Sequence, residues 1–147
     1  MKATDLMRMQ HREMEVLFEN LLKSDDDRLR KSLALEIISM LEIHMTIEET
    51  FFYPAYRQAA GSKKADDLLL EGYEEHHVVD LILAELPKAD PSAERFEAKM
   101  KVLKGILEHH VGEEERELFP DAERKLGQER LEKLGAQMGE RASHLST

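Results

Sequence analysis

Apolar residues recur along the chain at intervals of three and four, the spacing of one buried helix face, in four long stretches. The first stripe is Met7, His11, Met14, Phe18 and Leu21, and the second is Leu33, Ile37, Leu41, His44, Glu48 and Phe51. The third is Leu69, Gly72, His76, Val79, Leu83 and Leu86; the fourth is Phe96, Met100, Leu103, Leu107, His110, Glu114 and Leu118. The pattern predicts a first helix from about Thr4 to Lys23, with Thr4 or Asp5 as N-cap. Ser24-Asp-Asp-Asp27 starts a second that runs to about Tyr53, near Pro54. After a Gly61-Ser62 turn, the third spans roughly Lys63 to Leu86 and ends before Pro87. Asp90-Pro91 reads as an N-cap followed by a proline at the first helical position, opening a fourth helix to about Phe119. Beyond Pro120 and Gly127, the residues Leu126, Leu131, Leu134 and Met138 predict a short fifth helix packed across the others. Short links make successive helices antiparallel, so the expected fold is all-α: an up-and-down four-helix bundle filling one domain, residues 1–147.

Each stripe contains one histidine, and two contain a glutamate four residues later. A residue four along a helix returns to the same face, so His44/Glu48 and His110/Glu114 each aim an imidazole and a carboxylate at one point. Both pairs lead into similar tails, Glu48-Glu49-Thr-Phe-Phe52-Tyr53-Pro54 and Glu114-Glu115-Arg-Glu-Leu118-Phe119-Pro120. The halves align elsewhere as well. Apolar residues follow His11 and His76 at matching offsets, and the spacings His11–His44 and His76–His110 are 33 and 34 residues. This is a helix-pair repeat, and one metal per half is its natural content.

A lone histidine on an apolar face is usually a hydrogen-bonded core residue, and Glu four after His arises easily by chance in an acidic chain. Six such coincidences are different. Four imidazoles and two carboxylates in one core are costly unless something compensates them, and a pair of cations does. Nitrogen and carboxylate donors without sulfur suit iron, manganese or zinc and disfavour copper(I). Four histidines, two bridging carboxylates and a bridging oxo or hydroxo group leave about one position open on each six-coordinate ion. That suits dioxygen, peroxide or nitric oxide better than a structural metal.

Composition narrows the remaining classes. Hydrophobic residues make up 41% and charged residues 35%, as expected of a helical domain that is not membrane-embedded. The net charge of −10 offers no basic stripe for nucleic acid. With no cysteine, disulfides, thiolate zinc sites and Cys-ligated clusters are excluded. The start, MKATDLMRMQH, lacks the apolar core of a signal peptide, and no apolar run is long enough to span a membrane, so the expected location is cytoplasmic.

The lone His, His-x-x-x-Glu, lone His, His-x-x-x-Glu order, with its EE-x-x-[FL]-[FY]-P tails, resembles the hemerythrin-like (HHE cation-binding) family. The resemblance covers about residues 4 to 125. It implies a non-haem, oxo- or hydroxo-bridged centre of two iron ions, with His11, His44, His76 and His110 as ligands and Glu48 and Glu114 as bridges. Ferritin-like bundles use Glu-x-x-His instead. Oxygen-carrying hemerythrins place a further histidine four residues after the lone His of the third helix, where this chain has Asp80. The comparison therefore shifts toward bacterial single-domain members and iron–sulfur repair proteins, although the cysteine-containing extra domain of the latter has no counterpart here. A small diatomic or peroxide is the expected ligand, and peroxide consumption is one enzymatic option.

Several neighbours compete for a place in the site. His77 lies about 100° round the helix from His76 and is a candidate fifth ligand or outer contact. His109 falls off its stripe and is expected in solvent. Glu113 and Glu115 flank Glu114, but only Glu114 stands four after His110 and matches Glu48. Glu49 and Glu115, about 140° from His44 and His110, should be dispensable for metal binding. Tyr53 reaches the metals only if the second helix bends near Pro54; because its counterpart is Phe119, packing is the expected role. The methionines sit on apolar stripes as core fillers.

Overall fold

A computed structural model describes residues 1–146, and all regular structure among the described residues is helical. Helix α1 spans Ala3–Lys23 and α2 spans Asp27–Ile47. A five-residue π-helical segment, Glu48–Phe52, joins α2 to α3 (Tyr53–Ala60). Helix α4 covers Lys63–Glu85, and after a 3₁₀ turn at Leu86–Lys88 comes α5, Glu94–Glu113. A second π segment, Glu114–Leu118, leads into α6, Phe119–Leu145. Links between the long helices are short, so α1 packs on α2 and α4 on α5 as antiparallel neighbours in the expected up-and-down bundle.

The ends of the helices are where local chemistry departs from the sequence reading. Asp26 caps α2 by accepting from the Arg28 and Leu29 amides, and Ser62 caps α4 by accepting from Ala65. At α1, however, the N-cap is Lys2 with no side-chain cap, and Thr4 instead donates to Glu123 on α6. Asp90 does not cap the fourth helix. Its carboxylate accepts from the amide and hydroxyl of Ser92, closing a turn, and the helix starts at Glu94. Asp and Pro favour that local turn as readily as a cap.

Neither Pro54 nor Pro120 ends its helix. A proline inside a helix has no N–H to donate, and its ring crowds the carbonyl four residues back. Both prolines directly follow a π segment, where the wider turn relieves that crowding: Tyr53 N–H donates to Glu48 O and Phe119 N–H to Glu114 O, five residues back. The insertion also shifts the buried register. Phe52 and Tyr53 are fully buried while Phe51 is only half-buried.

The final helix is longer than the short one expected. Gly127 breaks α6 with φ 79°, in the region glycine tolerates, and the chain continues helically to Leu145. Leu126, Leu131, Leu134 and Met138 are buried as anticipated. This arm crosses the start of α1 closely: a Cβ on Gly135 would lie 2.1 Å from the Met1 carbonyl oxygen. The bundle interior thus divides into two apolar clusters. One contains Met7, Phe52, Tyr53, Leu69, Leu118 and Phe119; the other contains Met14, Phe18, Leu41, Val79, Met100 and Leu107. The polar members of the stripes form the layer between them.

Candidate metal centre

On α1, α2, α4 and α5 the buried histidine stands in the layer between the two clusters, as His11 does between Met7 and Met14. His11, His44, His76 and His110 are 2–6% exposed, Glu48 0% and Glu114 2%. The structure brings all six together in two overlapping groups, His11–His44–Glu48–Glu114 and Glu48–His76–His110, whose donor atoms lie within 4.8 Å of one another.

Glu48 belongs to both groups. One of its oxygens lies 3.5 Å from His44 Nε2, the other 3.0 Å from His76 Nε2. Glu114 Oε1 lies 3.3 Å from His11 Nε2 and 3.4 Å from His110 Nε2, so it also touches both halves. His76 Nε2 and His110 Nε2 are 3.2 Å apart.

The outward ring nitrogens determine the tautomer. His11 Nδ1 donates to Glu115 (2.7 Å), His44 Nδ1 to Gln10 Oε1 (2.6 Å), His76 Nδ1 to Glu49 (2.8 Å) and His110 Nδ1 to Glu75 (2.6 Å). Carboxylate and amide oxygens only accept, so each Nδ1 carries a hydrogen and Nε2 is the ring nitrogen that faces the layer, free to ligate a cation once any proton on it has left. Such an outer carboxylate or amide is the usual support of a metal-binding histidine.

Glu49 and Glu115 are therefore part of the site, against the expectation that they face away. They are the second residues of the two π segments, where the backbone leaves α-helical register, and the neighbouring helix brings His76 or His11 to them. Arg12 pairs with Glu115 and anchors it further.

Tyr53 is the second correction. Its hydroxyl donates to Glu114 Oε2 at 2.9 Å, with Glu48 Oε1 at 3.5 Å. Five residues past Glu48 in an α-helix it would sit about 140° away, but one π turn returns it to the same face. No bend is needed. Burial, with the charges of Glu114 and Glu48 adding to it, raises the phenol pKa well above its ordinary value, so the group remains a donor. Gly72 makes room for it, since a Cβ there would lie 3.0 Å from the hydroxyl. Tyr53 stacks on His76 as Phe119 stacks on His11, at 5.6 and 5.8 Å between ring centres. The repeat is thus preserved in packing and broken by one hydroxyl.

His77 is exposed and belongs to neither buried group, so it is not a fifth donor. His109 is 65% exposed, as expected, and lies against Glu75 and Glu113.

Electrostatics identify what the layer lacks on its own. Burial lowers the His76 pKa, but hydrogen bonds to Glu48 and Glu49 outweigh it and bring the ring up to about 9. The same balance raises His110 and His11. Burial raises Glu48, yet the His44 charge and its hydrogen bonds hold it well below the usual carboxylate range. Glu114 is pushed up by burial and by the Glu48 charge beside it. Protons on the imidazoles thus balance the carboxylates where cations would. His11 Nε2, His44 Nε2, Glu48 Oε2 and Glu114 Oε1 nevertheless remain buried without a hydrogen bond among the described residues. These four orphaned donor atoms all come from the His11–His44–Glu48–Glu114 group, and their convergence fits a bound metal cation.

Comparison with known proteins agrees. The family model of the hemerythrin HHE cation-binding domain matches residues 2–122. A protein of Mycobacterium tuberculosis, Rv2633c, is 29% identical over 154 residues, covering 99% of this chain and 88% of its own. A DNA nickase of Nostoc is 29% identical over 132 residues, covering 90% of this chain; the chain spans only 36% of that protein. The crystal structure of an HHE cation-binding domain-containing protein from Mycobacterium kansasii, a homologue of Rv2633c, superposes with a TM-score of 0.82 at 27% identity, over 99% of this chain and 87% of that one. No helix among the described residues is long and apolar enough to cross a membrane. With the helical bundle, the paired His/Glu groups and a family match over nearly its whole length, the chain belongs to the hemerythrin HHE cation-binding family.

Proposed function

We propose that the chain is a non-haem di-iron protein that binds or reacts with dioxygen, peroxide or nitric oxide, and that peroxide is the substrate it consumes. The observation that carries this reading is the convergence of four inward Nε2 atoms on two shared carboxylates, with every Nδ1 already engaged. His11 and His44 would hold one ion, His76 and His110 the other, and Glu48 and Glu114 would span them. Two adjacent redox ions would supply a two-electron couple. The surrounding residues do the rest: the Nδ1 partners fix the rings, Tyr53 holds one oxygen of Glu114, and the close packing of Tyr53, Gly72 and Leu118 leaves the carboxylate side almost no room for water. The nickase activity named for the Nostoc protein is not carried over, because the overlap covers a minor part of it and the net charge of −10 opposes DNA binding. The test is an iron-loaded sample given hydrogen peroxide. Oxygen evolution and near-ultraviolet oxo–iron bands, both lost in His44→Ala and Glu48→Ala, are the expected result; a featureless, inert protein contradicts it.

A second reading is favoured by the position of the orphaned atoms between two apolar clusters. Occupancy there is linked to folding, so metal or oxygen state could be reported through bundle stability to a protein partner. Equal melting temperatures for metal-free and iron-loaded protein would rule this out.

A further inference from the structure

The two faces of the polar layer differ in the space they leave. On the carboxylate side, beside Tyr53, Gly72 and Glu114, the cavity is about 10 Å³, room for one water at most. On the imidazole side a chamber of about 250 Å³ opens between α1, α2 and α5, with His11, His44, His76 and His110 at its inner end. Two of those rings, His11 and His44, carry the orphaned Nε2 atoms and are more than nine-tenths buried. The walls beyond them are Met14, Phe18, Leu41, Met45 and Leu107, all buried and all apolar. The rim is charged: Lys104 lies 3.6 Å from Glu108, and the exposed Arg12 pairs with Glu15 and Glu115.

Dioxygen and hydrogen peroxide need little more room than a water, roughly 30 Å³. A chamber several times that size deprives its lining of packing partners, which a site for such small ligands alone does not require. Apolar cavities of about 150 Å³ accept benzene, so this one suits a carbon chain of about six to eight atoms. Resting on the peroxide-consuming reading above, we propose that the centre takes alkyl hydroperoxides, with the O–O group against the imidazoles and the carbon chain in the chamber. Reduction breaks the O–O bond to give an alcohol and a water, consuming two electrons and two protons. An external dithiol supplies both and leaves as a disulfide, because the chain has no cysteine of its own.

The product alcohols are unreactive probes of the same chamber. Titrating 1-propanol to 1-decanol into the metal-loaded protein by calorimetry should show affinity rising about fourfold per methylene, then levelling once the chamber fills near six to eight carbons. Leu107→Trp, which fills the chamber, should abolish that rise, with Met14→Trp as a second filling variant should the first not fold. It should also lower the ratio of kcat/KM for hexyl hydroperoxide to that for hydrogen peroxide at least tenfold. Affinity independent of chain length, or a rise that persists in the folded filled variants, overturns the proposal. Consumption of hydrogen peroxide but not hexyl hydroperoxide overturns it alone. Consumption of neither overturns the peroxide-consuming reading too, while the alcohol series still shows whether the chamber binds carbon chains.

Discussion

Each histidine of the layer is fixed by a different neighbour, and those neighbours differ in what their loss would do. Glu49 and Glu115 hold His76 and His11 by the ring nitrogen that faces away from the layer. Glu49→Gln and Glu115→Gln keep a hydrogen-bond acceptor but lose its charge, so iron affinity should fall about 10- to 100-fold with both positions still able to fill. Chelator competition on each variant measures this; unchanged affinity would show that these carboxylates are surface groups. Tyr53→Phe leaves Glu114 Oε2 without its buried donor, which costs about 1–3 kcal/mol in the metal-free protein. Denaturant unfolding without metal is the check, and a difference below about 0.5 kcal/mol would mean the hydroxyl is solvated from elsewhere. The inner six residues could be read from spacing because helical periodicity specifies their face. Gln10, Glu49, Glu75 and Glu115 could not, since each meets its histidine on a neighbouring helix, and no interval along one helix encodes that contact.

At the level of elements, the two π segments set the site and also mark where sequence reading ran out. Strict α-helical register carries Tyr53 away from Glu48 and makes Pro54 a helix end. One inserted residue per half reverses both conclusions. The sequence did carry the signal, as a proline six residues after each of Glu48 and Glu114, but a proline is read as a stop unless the turn before it can widen. Four long helices were legible because each buries one unbroken stripe. The last arm was underestimated: after Gly127 its charged residues dilute the stripe although its helix continues. That arm has its own test. Any Cβ at Gly135 meets the backbone of Met1 to Ala3, so Gly135→Ala should destabilise the protein by about 1–3 kcal/mol, measured by denaturant unfolding. A neutral or stabilising effect would mean that α6 does not cross the N-terminus so closely.

Across the whole molecule, two apolar cores are joined through a layer that is electrostatically complete only with added positive charge. Protons and metal ions compete for it, which gives a sign to the pH dependence. His76, raised to about 9 from an ordinary 6.5, stabilises the metal-free fold fully below about 6.5, and that contribution is lost as pH rises through 9. Glu48, depressed, contributes stability above about 4.5 that is lost as pH falls further. The metal-free protein should therefore melt at lower temperature at pH 9.5 than at pH 6.5, whereas metal affinity should rise over the same interval as the competing protons leave. Melting curves and metal titrations at the two pH values read both signs, and parallel trends would contradict the shared site.

The most direct measurement is anaerobic titration of iron(II) into the metal-free protein, counting ions bound per chain for the natural sequence, His11→Ala and Glu48→Gln. Saturation at two ions is expected for the natural chain. His11→Ala should empty one position preferentially, and Glu48→Gln should weaken both, since that carboxylate touches each histidine pair. Saturation at one ion or none in the natural chain, or full two-ion binding by Glu48→Gln, would contradict a bridged pair in this layer.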